Sequence, residues 1–118
     1  MTKQNPIEEK SFNFAVRSVR LYRHLTKNKQ EYILSKQFLR SGTSIGANVA
    51  EGERGQSRAD FISKMSIALK EANETDYWLR LLHASELLSE VEFESMNKDL
   101  RELIALLTSI CKTANQNK

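Results

Sequence analysis

All four glycines of this 118-residue chain lie between residues 42 and 55, and its only proline is Pro6. Glycine and proline are the residues that most strongly interrupt a helix. Outside that short window nothing stops helices from running long. No stretch alternates apolar and polar residues with period two, so no strand is expected. Nothing repeats at a solenoid period.

Four segments carry helical periodicity. The first opens at Asn5-Pro6, where Asn suits the cap, Pro suits the first helical position and Glu8 falls where it can close a capping box. Its expected core stripe is Phe12, Val16, Val19, Tyr22 (or Arg23) and Leu25, widened by Phe14, Ala15 and Leu21. Thr26 to Asn28 read as a turn, and Asn28 with Glu31 as a second capping box. The inner face of helix two is then Tyr32, Leu34 or Ser35, Phe38, Gly42, Ile45 and Val49, with a stop near Gly52 that one or two left-handed residues would make. Ser57 with Asp60 caps helix three. Its seam is Phe61, Met65, Ala68, Ala72, Thr75, Leu79 and Leu82, in steps of three and four. Ser89 with Glu92 caps helix four, whose seam is Phe93, Met96, Leu100, Leu103, Leu107, Ile110 and Ala114. The tail from Asn115 to Lys118 is expected to fray.

Helices of about 20 to 30 residues would be about 30–45 Å long. Short connections make sequential helices antiparallel neighbours, so residues 1–118 are expected to form one all-α domain, an up-down-up-down four-helix bundle. Helix three carries more apolar surface than one seam needs. Tyr77, Trp78 and Leu81 lie on its extra faces and are candidates for an interface between subunits.

Composition narrows the function. Apolar residues make up 40% and charged residues 28%, which excludes a disordered chain. No apolar run reaches the roughly 18 residues of a membrane span, so no membrane partner is expected. Met1 to Pro6 is polar and unlike a signal peptide. With Cys111 the only cysteine, a reducing, cytoplasmic setting is expected. Residues 1–58 hold eleven Lys/Arg against five Asp/Glu, a net +6, whereas residues 59–118 hold seven against ten, a net −3. A basic half attracts phosphate, or pairs with an acidic half.

The familiar catalytic constellations are missing. A di-iron bundle uses Glu-x-x-His on two helices, but Leu21 and Arg80 stand three residues before His24 and His83. Cys111 lies on an apolar face with no base nearby in sequence. Ser41 and Ser44 lack a partner histidine. The glycines are not followed by Gly-Lys-Ser/Thr, so a phosphate loop fails on spacing and charge. Gly52-Glu53-Arg54-Gly55 has the form of a nucleic-acid-clamping GxxG loop, but that fold needs a sheet. No enzyme, metal or cofactor is expected.

Two features remain. Gly42, Gly46 and Ala50, four apart, make a smooth stripe on helix two. Together with Ile45, Asn48, Val49 and Glu51 they read as a helix-packing motif, approached by Trp78 or Tyr77 of helix three. Asn48 and Glu51 need polar partners if buried. Arg17, Arg20, His24 and Lys27 on helix one, Lys36 and Arg40 on helix two, and Arg54 and Arg58 at the following turn could line a phosphate-binding surface. Without interleaved aromatics, such binding would be directed to the backbone.

Arg40-Ser-Gly-Thr-Ser-Ile-Gly-Ala-Asn-Val-Ala-Glu-Gly52, with Ser57-Arg-Ala-Asp-Phe61, Ala68-Leu-Lys-Glu-Ala72 and Tyr77-Trp-Leu-Arg-Leu-Leu82, resembles the four-helix bundle proteins of the 23S rRNA intervening-sequence family. The core Ser-Ile-x-x-Asn-x-Ala-Glu-Gly is its most specific part. Many relatives carry Pro where this chain has Gly46, which suggests a loosened turn there. The resemblance implies a bacterial protein that forms homo-oligomeric rings, typically pentamers. The family in turn resembles the accessory variability determinant of diversity-generating retroelements, which binds nucleic acid and a reverse transcriptase. The expected function is a non-enzymatic homopentamer that binds RNA or DNA through phosphates. The alternative is an oligomeric scaffold for a protein partner, such as a reverse transcriptase.

Overall fold

The structure is a computed structural model describing residues 5–116; the polar start, Met1 to Gln4, and the end of the tail, Asn117 and Lys118, lie outside the described residues. Four helices, α1 (Pro6–Lys29), α2 (Leu34–Glu53), α3 (Arg58–Ala84) and α4 (Glu90–Gln116), account for nearly all of them, with no strand among the described residues. α1 packs on α2 and α4, and α3 packs on α2 and α4; the backbones of the diagonal pairs do not come close. All four helices contribute to one apolar core within an envelope of 46 × 28 × 22 Å. No described helix is long and apolar enough to cross a membrane.

The caps follow the sequence at three of the four helix starts. Asn5 Oδ1 accepts from the Ile7 N–H at 3.1 Å, and Ser57 Oγ from that of Asp60 at 3.1 Å. Ser89 and Glu92 form a reciprocal capping box, the Glu92 N–H donating to Ser89 Oγ at 3.1 Å and the Ser89 N–H to Glu92 Oε1 at 2.8 Å. The fourth start differs from expectation. α1 continues through Thr26–Asn28 to Lys29, and Gln30 ends it in the left-handed region at φ 51°. α2 begins only at Leu34. Glu31 starts it, its carboxylate accepting from the N–H groups of Ile33 (3.1 Å), Leu34 (2.9 Å) and Ser35 (2.7 Å).

The seams of α3 and α4 lie close to where the periodicity places them, except that Phe61, Phe93 and Ile110 are only half-buried and Cys111 takes the inward place expected of Ile110. Met65, Ala68, Ala72, Thr75, Leu79 and Leu82 are buried on α3, and Met96, Leu100, Leu103, Leu107, Cys111 and Ala114 on α4. On α2, Ser35 and not Tyr32 belongs to the inner face with Phe38, Gly42, Ile45 and Val49.

The seam of α1 is a correction. Its buried residues are Ile7, Ser11, Phe14, Ser18, Leu21 and Leu25, whereas Phe12 is 67% and Val19 37% exposed. The helix is rotated so that two serines, not Phe12 and Val19, face the interior. The cause is the glycine stripe opposite. A Cβ at Gly42 would stand 2.5 Å from Ser18 Oγ, and one at Gly46 would stand 3.1 Å from the Ser11 carbonyl oxygen. Bulky side chains at 11 and 18 would hold the helices apart. The stripe is therefore met by α1 and not by Trp78 or Tyr77. α2 stays helical through Gly46.

Buried hydroxyls need partners, and here each finds a backbone carbonyl three or four residues earlier in the chain. Ser18 Oγ donates to the Phe14 carbonyl at 2.9 Å, Ser35 Oγ to that of Glu31 at 2.7 Å, and Thr75 Oγ1 to that of Glu71 at 2.7 Å. Ser11 and Ser41 do the same toward Glu8 and Phe38. These residues act as small packing units that leave no polar group unsatisfied.

No glycine has a positive φ, so the end of α2 is not a left-handed stop. Gly52 is buried, and a Cβ there would stand 3.1 Å from both Lys64 Cβ and Met65 Cε. Its role is to let the end of α2 lie close against α3.

Candidate nucleic-acid interface

The seven lysines and arginines expected to line one surface fall into two groups. Arg17, Arg40 and Arg58 are used within the chain. Arg17 reaches α4, donating to Asp99 Oδ2 at 2.5 Å and to Ser95 Oγ at 2.6 Å. Arg40 turns to α3, where it pairs with Glu74 and stands 3.8 Å from Glu71 Oε1. That oxygen is buried without a hydrogen bond among the described residues, so Arg40 is its nearest compensation. Trp78 Nε1 donates to the same Glu74 carboxylate at 3.3 Å. Arg58 donates to the Ala114 carbonyl at 3.3 Å.

Arg20, Lys27, Lys36 and Arg54 remain exposed, with no carboxylate of the described residues within 4.0 Å. Arg23 and Lys29 share that state, although sequence reasoning missed both. Spacing within α1 alone offers Arg23 as an inward alternative to Tyr22, because it sets the phase of the helix wrongly. The signal that finds it is the repeat Ile7, Ser11, Phe14, Ser18, Leu21, Leu25, which turns position 23 outward.

These six cations occupy two ends of the molecule, while Lys70 on α3 and Lys98 and Lys112 on α4 are likewise exposed with no carboxylate of the described residues within 4.0 Å. Arg20, Arg23, Lys27 and Lys29 lie on the C-terminal half of α1, and Lys36 lies in the first turn of α2, just across the connection. Arg54 follows α2 at its other end, 18 residues from Lys36 and so about 27 Å along the axis. Arg54 instead borders a hollow with Glu8, Phe12, Gly46 and Ala50.

The two histidines face acids of α4. His24 Nε2 lies 3.4 Å from Glu92 Oε2, and His83 Nε2 lies 2.8 Å from Glu90 Oε2 with its ring stacked on Phe93. The Ser89 backbone N–H, helped by the Ser89 hydroxyl, His24 and Lys29, outweighs burial and holds the Glu92 carboxyl below its ordinary range. A hollow of about 460 Å³ between α1 and the start of α4 has Arg20, His24, Val91 and Glu92 on its rim, so it offers both signs of charge. Among the described residues no group of three or more His, Cys, Asp or Glu is placed to hold a metal ion.

The packing-motif residues are mostly internal. Gly42, Ile45 and Val49 are buried, and Gly46 and Asn48 half-buried. Asn48 Nδ2 donates to the Ser44 carbonyl at 2.8 Å, and exposed Glu51 pairs with Lys64 of α3 at 2.9 Å. Of the interface candidates, Tyr77 is 51% exposed and packs edge-on against half-buried Trp78; Leu81 is half-buried.

The sequence model of the 23S rRNA-intervening sequence proteins matches residues 3–109. The chain belongs to that family. It is also similar to a crystal structure from Bacteroides thetaiotaomicron, a protein of unknown function from the S23 ribosomal protein family, with 56% identity, a TM-score of 0.89, and coverage of 92% of this chain and 96% of that one. No protein of curated function matches. Family membership embraces the four helices described above, since the match runs from before α1 well into α4.

Proposed function

We propose that this family member is a non-catalytic, antiparallel up-down-up-down bundle that assembles into a homopentameric ring and binds RNA or DNA through backbone phosphates. The order of cross-helix pairs supports the antiparallel arrangement: Lys10, Arg17 and His24 ascend α1 while their partners Glu102, Asp99 and Glu92 descend α4. The observation that carries the nucleic-acid reading is the unpaired basic group on α1 and the start of α2. Residues 20–36 contain five Lys/Arg and one acid, Glu31, whose carboxylate is turned to backbone N–H groups. A polyanion compensates such a group, and binding of this kind falls steeply with salt.

Purified protein should retard RNA or duplex DNA in a gel at low salt, with affinity lost as salt rises. Charge reversal at Arg20, Lys27 and Lys36 should weaken binding several-fold without unfolding the protein, because none of the three has an internal partner. Absence of retardation at low salt overturns the reading. A monomer in light scattering overturns the ring.

Exposed Tyr77, with Ile67 at 37% exposure ten residues earlier on the same helix, favours a second reading: an oligomeric scaffold for a protein partner. Such a scaffold would form rings yet leave nucleic acid unretarded.

A further inference from the structure

The connection between α1 and α2 exposes an apolar tip inside the basic group. Tyr32 is 59% and Ile33 75% exposed. Neither side chain starts α2, since Glu31 does so with its carboxylate. The tip is bracketed in the chain by Lys27 and Lys29 on one side and Lys36 on the other, with Arg20 and Arg23 one to two turns back along α1. The sequence pattern alone assigned Tyr32 to the interior of helix two, which hid an aromatic platform among cations.

Resting on the nucleic-acid reading above, we infer that this corner selects single-stranded over duplex nucleic acid, with Tyr32 stacking on an unpaired base while Arg20, Arg23, Lys27 and Lys36 take the neighbouring phosphates. The charge complementarity argues for a polyanion as occupant. The exposed ring argues for an unstacked base. In a duplex the bases already stack on one another, and a protein reaches chiefly phosphates and groove edges. In a single strand each base has a face to offer, and an aromatic side chain beside a cationic track is the arrangement that uses it. Ile33 extends the same apolar surface. Such stacking tolerates any base, so little sequence preference is expected.

The test compares binding of one oligonucleotide, as RNA and as DNA, single-stranded and annealed to its complement, by fluorescence anisotropy at fixed low salt. Tyr32→Ala should weaken single-strand binding roughly five-fold or more, the lower end of what one stacked base contributes, and leave duplex binding nearly unchanged. Tyr32→Trp should retain or improve single-strand binding. Lys36→Glu should weaken both forms. If Tyr32→Ala leaves single-strand affinity intact while Lys36→Glu lowers it, the stacking role is overturned and the phosphate reading survives. If neither strand form binds the unmodified protein, both fall. If Tyr32→Ala changes the oligomeric state and not the affinity, the tip belongs to a contact between copies and the inference is overturned.

Discussion

Helix α1 is held on its two flanks by different physics. Against α2 it makes close contact, with Ser18 over Gly42 and the Ser11 backbone over Gly46, and Phe14 tilted against Phe38 with ring centroids 6.4 Å apart. Against α4 it is tied at its surface by ion pairs, Lys10 with Glu102 at 3.0 Å and Arg17 with Asp99 at 2.5 Å. Close approach of backbones tolerates almost no added volume, because interiors are packed to crystal-like density. Half-exposed ion pairs accept many substitutions, because water replaces most of what is lost. One side of α1 therefore demands particular residues, and the other only compatible charges.

The difference can be broken most forcefully at Gly42. Gly42→Leu should destabilise the fold by about 3 kcal/mol, the upper part of the usual range for overpacking, read as a lower urea midpoint. Ser18→Ala in that background should restore only part of the loss, since Ser18 Cβ itself stands 3.1 Å from the added atom. A near-neutral Gly42→Leu would mean that α1 and α2 are not in close contact.

A smaller effect is expected at the start of α2. Glu31→Ala removes a carboxylate that serves three N–H groups and should cost about 1–2 kcal/mol. Burial raises the Glu31 pKa, but the N–H groups of Leu34, Ser35 and Ile33 outweigh it, and the net shift is downward from the ordinary 4.5. The sign follows. The charged form is favoured in the folded state, so this stabilisation is complete above pH 4.5 and is lost as pH falls through the lower folded-state value. Glu31→Ala should flatten part of the acid limb of a stability–pH curve, and an unchanged limb would exclude this role.

The smallest effect belongs to the α4 flank. Arg17→Gln should cost less than about 1 kcal/mol, and the difference from the parent should shrink in high salt. A loss comparable to that of Gly42→Leu would erase the contrast between the flanks. Lys10, about half exposed, is held above its ordinary pKa by its hydrogen bond to Glu102, which matches a tie made at the surface.

Much of the architecture was legible because the relevant signals are local. The Ser57 and Ser89 caps, the Asn5-Pro6 start, and the seams of α3 and α4 depend on residues within one helix. Legibility failed for α1. Phe12, Val16 and Val19 are bulkier than Ser11, Phe14 and Ser18 taken together as a stripe, and periodicity weighs bulk. Which face turns inward was decided by the glycines of α2, some thirty residues away in the chain (Ser18 to Gly42, Ser11 to Gly46). The same rotation turned Arg17 toward Asp99 and left Arg20 and Arg23 outward, so the basic surface could not be drawn correctly from spacing alone. Tyr32 was misplaced for a related reason: Glu31 caps from outside the helix, and no local pattern marked α2 as starting at Leu34.

By itself, the sequence determined four long helices, their order, and most of their boundaries, because helix propensity, capping and glycine placement act over a few residues. Only the tertiary structure decided which face of α1 meets α2, and with it which cations are paired inside the chain and which stand available at the α1–α2 corner. Contact between distant backbones sets that choice, and no periodicity within a single helix encodes it.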